Sequence, residues 1–193
     1  MTEAQTAVVS IKPTYLEVPQ VGESFDVDIN ITNVNNLFAY ELQVFYMRNV
    51  VNCIRASRPP GHFLEPKLSP DNYLIFKWEI ENEFNATHGR IWLAYTLKIG
   101  ETGRSGSGIL VRLTFISVSL GTTPLILADD SGRGGHVLLA RYPDSASIPN
   151  VTEDGMVKVI PEFSIEVILL AFLITSSFAI ALTMKSKSNQ TKA

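Results

Sequence analysis

Apolar and polar residues alternate with period two along most of the first 160 positions. Phe25, Val27, Ile29 and Ile31 are interleaved with Asp26, Asp28, Asn30 and Thr32, which predicts a strand with one buried and one wet face. Phe38, Tyr40, Leu42, Val44 and Tyr46 repeat the pattern against Ala39, Glu41 and Gln43. Leu74, Phe76, Trp78 and Ile80 are in phase, opposite Lys77, Glu79 and Glu81. Ile91, Leu93, Tyr95 and Leu97 form the next strand, then Val111, Leu113 and Phe115. Shorter strands are predicted over 7–12, 15–18, 50–55, 123–128, 136–141 and 155–160. Turn residues separate them at Pro19 to Glu23, Asn33 to Asn36, Pro59 to Gly61, Gly100 to Gly108 and Asp129 to Gly135. Residues 142–154 read as a long, turn-rich connection. No segment before Phe163 has a helical period, so the expectation is all-β. About nine short strands at this spacing fit a two-sheet jelly-roll β-sandwich, with Phe25, Ile29, Leu42, Phe76, Leu93 and Phe115 filling its core.

The pattern changes at Val167. From there to Met184 no residue is charged. At 1.5 Å per residue this run reaches about 27 Å, close to the thickness of a bilayer core. A buried helix is rarely apolar on every face, so 167–184 is predicted to be a transmembrane helix. Glu162 and Glu166 precede it, and Lys185, Lys187 and Lys192 follow it. The positive-inside rule then makes 185–193 a basic cytoplasmic tail and puts 1–160 outside the cell. The expected organisation is a sandwich over 1–160, a short linker over 161–166, the membrane helix and the tail. Residues 1–6 contain Glu3 and no apolar stretch of the kind that directs export, so either a leader lies upstream of Met1, the favoured reading, or the anchor helix itself drives export, or the domain is cytoplasmic. The sequons at Asn30, Asn85 and Asn150 fit an external location as candidate glycosylation sites.

Composition excludes several classes of function. The net charge is −3, against the basic face that nucleic acid requires. One cysteine, Cys53, cannot form an intrachain disulfide or a cysteine zinc site, and between Val51 and Ile54 it reads as a small buried hydrophobe. His62, His88 and His136 lack metal-binding spacing and read as loop or strand-edge residues. The Gly103 to Gly108 segment lacks the lysine of a phosphate loop and precedes a strand, so it reads as a hairpin loop. Glu79, Glu81 and Glu83 read as a solvated strand edge, and Asp129 to Gly135 lacks the closing glutamate of a calcium loop. No catalytic residue, metal site or cofactor is therefore expected.

Residues 21–34, from Val21-Gly-Glu-Ser-Phe through Asn33-Val, followed by 36–46, are similar to the opening strands of cohesin domains. Gly89-Arg-Ile-Trp-Leu-Ala-Tyr, residues 105–115, and Asp154-Gly-Met-Val-Lys-Val resemble three later strands, in the family's order. The resemblance implies a nine-stranded jelly-roll sandwich and a non-catalytic module that docks a dockerin-like or other surface protein. Pro161, Glu162 and Phe163 before the apolar run resemble the sorting motif of an archaeal PEF-type C-terminal anchor, although Ser164 stands where a proline often follows. The expected partner surface is the outer face of the second strand: Ala39, Glu41, Gln43 and Phe45, with Phe45 as its aromatic anchor. The alternative is a carbohydrate-binding module of the same architecture, contacting polysaccharide. That needs a strip of exposed aromatic rings; Trp78 is expected in the core and Trp92, out of phase with Ile91 and Leu93, either exposed or facing a second layer.

Overall fold

The computed structural model describes residues 6–128, 137–161 and 173–174. Contacts divide the chain between Ile160 and Pro161. Up to Ile160 the described residues form eleven strands and no helix. They are β1 (Ala7–Lys12), β2 (Tyr15–Val18), β3 (Ser24–Met47), β4 (Val51–Ser57), β5 (Tyr73–Glu81) and β6 (His88–Leu97), then β7 (Arg104–Ser117), β8 (Gly121–Ala128), β9 (Leu138–Arg141), β10 (Asn150–Glu153) and β11 (Gly155–Val159).

β3 organises the fold. Its first half pairs with β1 and β7, extending to β10 beyond β1 and to β4 beyond β7. Its second half pairs with β6, then β5, on one side and with β8 and β9 on the other, and β8 continues through β11 to β2. One strand thus serves both leaves of the sandwich, which close on a core containing Ile29, Leu42, Tyr46, Leu93 and Phe115. Tyr46 meets Phe115 edge-on at 5.1 Å across that core.

Several boundaries differ from the alternation-based reading. Asn33 to Asn36 is a bend within β3, not a turn between two strands. Asn33 and Asn36 adopt φ of 58° and 59°, a region that asparagine tolerates. The bend shifts the register against β7, and serines of β7 take up the displaced amides: Asn33 N donates to Ser107 Oγ at 3.2 Å and Asn36 N to Ser105 Oγ at 2.9 Å. The glycine- and serine-rich segment is therefore mostly strand, with β7 starting at Arg104. A Cβ on Gly103 would lie 2.1 Å from Asn36 Oδ1, so glycine is needed beside the bend. The connection over 142–154 contains a further strand, β10, parallel to β1.

Phe76 is the clear error in the predicted core. The β5–β6 register slips between Ile75 and Lys77, and Phe76 is 69% exposed. A bulge inserts one residue and reverses the faces beyond it, so Leu74, Phe76, Trp78 and Ile80 do not share one face. Trp78 packs against the core and donates its Nε1 hydrogen to Ala56 O at 3.2 Å.

The apolar run 167–184 lies outside the described residues except Leu173 and Ile174, which are helical and exposed. Among the described residues no helix is long and apolar enough to cross a membrane. Glu162, Phe163, the tail lysines, His136 and Asp129 to Gly135 also lie outside them, while Pro161 is exposed.

Candidate docking face

The outer surface of β9, β3, β6 and β5 is the most distinctive one on the domain. Alternation along β3 turns Ala39, Glu41, Gln43 and Phe45 away from the core, and along β6 it does the same for Arg90, Trp92, Ala94 and Thr96. The register aligns Ala39 with Thr96 and Ala140, and Glu41 with Ala94 and Leu138. Small side chains thus pave the centre. Phe76 from the β5 bulge and Leu138 from β9, 69% and 55% exposed, line the same open groove of about 330 Å³. Ala39, Ala94, Thr96 and Ala140 contribute its lining.

The other end of the face is aromatic and ionic. Trp92 donates from Nε1 to Glu41 Oε1 at 2.7 Å. Lys77 Nζ sits 4.5 Å from the Trp92 ring centre, and Arg90 Cζ lies 5.0 Å from it and 4.3 Å from that of Phe84. Phe45 packs edge-on against Phe84 at 5.6 Å. Arg90 pairs with Glu81 at 2.6 Å, Lys77 with Glu79 at 2.8 Å and Arg48 with Glu83 at 3.0 Å. Each of the three strand-edge glutamates therefore faces a cation.

The four residues expected to make the partner surface are not equally available. Ala39 lines the groove and Glu41 its border, both half-buried. Gln43 is only 1% exposed, and Phe45 is half-buried beneath the turn that carries Phe84. The large exposed apolar residues of the groove, Phe76 and Leu138, were not expected on this face from the sequence. A bulge and a four-residue strand leave no periodic signal, although three consecutive apolar residues, Leu74 to Phe76, cannot all face inward in a strand.

Other titratable groups are structural. His62 lies in the loop between β4 and β5, where it is buried, and its Nδ1 has no partner among the described residues. Burial, aided by the nearby Arg58 guanidinium, lowers its pKa to about 4. Burial pushes the Cys53 thiol up to about 12. Glu101 accepts from the backbone N–H groups of Lys67 and Leu68 and from Asn72 and Arg104, which tie down the loop before β5. These bonds, that from Leu68 first, hold its carboxyl at about 2. Among the described residues no group of His, Cys, Asp or Glu side chains could hold a metal ion.

The three sequons lie in different settings. Asn30 is in mid-β3, laddered on both sides. Asn150 opens β10 with its amide nitrogen bonded to Val137 O and Ile148 O. Asn85 is exposed in the turn between β5 and β6.

The architecture is that of a curled β-sandwich whose outer face over β9, β3, β6 and β5 carries an open groove lined by Phe76, Leu138 and small residues. Solved structures make the fold more specific: it is the cohesin fold. A cohesin from Clostridium acetobutylicum solved in solution aligns over 81% of this chain and 92% of its own, with TM-score 0.58 and 17% identity. A non-cellulosomal cohesin from the hyperthermophilic archaeon Archaeoglobus fulgidus aligns over 81% and 92%, with TM-score 0.53 and 16% identity. The cohesin–dockerin complex of type I from Clostridium thermocellum gives 81% and 100%, with TM-score 0.57 and 13% identity. No family model matches the sequence, and no curated protein does.

Proposed function

We propose that this domain is a non-catalytic docking module that binds a dockerin-type protein on the outer face of β9, β3, β6 and β5. One observation carries the reading: the groove between Phe76 and Leu138, floored by alanines and Thr96. Two large exposed apolar side chains beside a small-residue floor offer anchors and pockets, and the charged groups near Trp92 supply a polar border of the kind interfaces use. The likeness to cohesins solved with dockerins supports the choice of partner. The polysaccharide reading has less support. Trp92 has Lys77 and Arg90 close to its ring, so it offers no open stacking platform. The test is titration of purified dockerin domains against the wild type and against Phe76→Glu and Leu138→Glu. Loss of a central anchor costs about 2 kcal/mol, near 30-fold in Kd. A dockerin that binds with unchanged affinity to both variants, or a chain that binds cellulose and no dockerin, refutes the reading.

We further propose that the domain is extracellular and held at the cell membrane by a single helix over 167–184, with Pro161, Glu162 and Phe163 as a sorting motif. The uncharged run, flanked by acidic residues before and lysines after, supports this. Protease added to sealed cells should cleave exposed loops of the sandwich or an N-terminal tag and spare a tag after Ala193. The opposite pattern overturns the topology.

A further inference from the structure

We propose that Asn85 is an N-glycan acceptor and that the fold withholds the other two sequons from modification. Transfer joins the amide nitrogen of asparagine to the anomeric carbon of a lipid-phosphate-linked oligosaccharide. The lipid phosphate leaves with the bonding electrons, and the nitrogen loses a proton. The transferase must therefore reach Nδ2 and grip the Asn-x-Thr backbone in a surface segment.

Only one of the three sequons meets both conditions. Asn85, Ala86 and Thr87 are all exposed, in the turn joining β5 to β6. The Asn85 side chain is oriented through its oxygen. Oδ1 accepts from Thr87 N at 2.9 Å, His88 N at 2.8 Å and lies 3.2 Å from Thr87 Oγ1. Asn85 Nδ2 donates to no group among the described residues, so on this exposed residue the reacting nitrogen is uncommitted while the amide oxygen is held. The sequon hydroxyl is also held beside the asparagine, between Asn85 Oδ1 and His88 Nδ1 at 2.7 Å.

Asn150 has the reverse arrangement. Its Nδ2 donates to Val137 O at 2.7 Å and to Ile148 O at 3.2 Å, and Oδ1 is buried. The nitrogen that must react is already committed, and β10 is laddered to β1 through the whole sequon. Asn30 is laddered on both sides, to Ser10 of β1 and Ile109 of β7, between buried Ile29 and Ile31. Extracting either sequon into an enzyme would break strand pairing.

A glycan at Asn85 would also leave the proposed groove open. Asn85 precedes β6, whereas the groove floor lies at Ala94 and Thr96, six to eight residues further along that strand from His88. At about 3.4 Å per residue this is 20 Å or more. The sugar would flank the Phe84 and Arg90 end.

The inference rests on the extracellular reading, and the experiment separates the two. The full-length protein, purified in detergent, is incubated with an oligosaccharyltransferase and its lipid-linked oligosaccharide. The products are read by intact mass and peptide mapping. The folded chain should gain one glycan, on Asn85. Asn85→Asp, which keeps the turn-forming oxygens and lacks the amide, should gain none. Asn30→Gln and Asn150→Gln should behave as wild type. After unfolding in urea and dilution into the reaction, Asn30 or Asn150 should become modified as well. No sugar on Asn85 of the folded chain, or sugar on Asn30 or Asn150 of that chain, overturns the proposal. Location is read separately, from the mass of protein isolated from its own membranes: an unmodified Asn85 there, beside efficient transfer in vitro, counts against export and leaves the site selection standing.

Discussion

Asn82 joins the two leaves of the sandwich, and replacing it tests the packing described here. Its Oδ1 accepts from Tyr46 Oη at 2.6 Å and from Cys53 N at 2.9 Å, and its Nδ2 donates to Cys53 O at 3.0 Å. One amide thereby completes a phenol from β3 and both backbone groups of Cys53 in β4. Tyr46 and Cys53 are buried. Asn82→Ala would leave all three groups without this partner. A buried polar group left unpaired costs about 1–3 kcal/mol. Asn82 also lines an open cavity of about 460 Å³, through which water can enter. The lower end then applies to each group, and the expected loss is about 3 kcal/mol. For a domain of this size that corresponds to a Tm lower by about 6–12 °C. The assay is urea unfolding of residues 1–160, with Asn82→Ala, Tyr46→Phe and the double variant. The two changes should be non-additive by about 1 kcal/mol, because each removes the same phenol bond. A loss below about 1 kcal/mol, or simple additivity, would show that water replaces the amide and would refute this account.

Residues 1–160 should fold alone as a β-rich monomer, because the strand network closes at Val159; circular dichroism dominated by helix contradicts this. Stability should fall as pH drops from about 6.5 to about 4. His62 is neutral in the fold with a depressed pKa, so protonation favours the unfolded chain over that window. The His62 contribution cannot exceed about 1.4 kcal/mol per pH unit, and His62→Phe should remove it from the urea midpoint. Glu101 acts lower on the scale. Its pKa is depressed to about 2, so its stabilisation is complete above about 4.5 and is lost as pH falls through about 2. Glu101→Gln should speed amide hydrogen exchange at Lys67 and Leu68 at neutral pH, and unchanged protection there contradicts its role in fixing that loop.

Much of the fold is legible because one face of nearly every long strand is buried. Period-two alternation at 25–32, 38–46 and 91–97 survives as the inward rows of β3 and β6, since a one-residue slip would expose the whole row. What alternation does not convey is continuity. The Asn33 to Asn36 segment has turn chemistry, yet its left-handed asparagines bend a single strand because Ser105 and Ser107 bond to the displaced amides. Those serines are about 70 residues away in sequence, so no local window contains the information. Short strands such as β9 and β10 are set by pairing with β3 and β1 rather than by their own composition.

The same limit explains why the groove was harder to read than the core. A docking surface needs large apolar groups where solvent can reach them, which conflicts with the rule that identifies a buried strand face. In β5 the conflict is resolved by the slip between Ile75 and Lys77. Without it, Phe76 would keep step with Trp78 and point into the core. With it, Phe76 projects over the small residues of β3 and β6 while Trp78 remains packed. Bulges commonly redirect side chains near functional sites, and this one converts an apparent core phenylalanine into the most exposed large residue of the groove. Deleting Ile75 should therefore move Phe76 towards the core and remove the anchor without removing the aromatic residue. On the proposed docking reading, such a variant would keep the sheet and weaken the binding of any dockerin captured by the wild type about as far as Phe76→Glu does. If its affinity instead matches the wild type, the bulge has no part in docking.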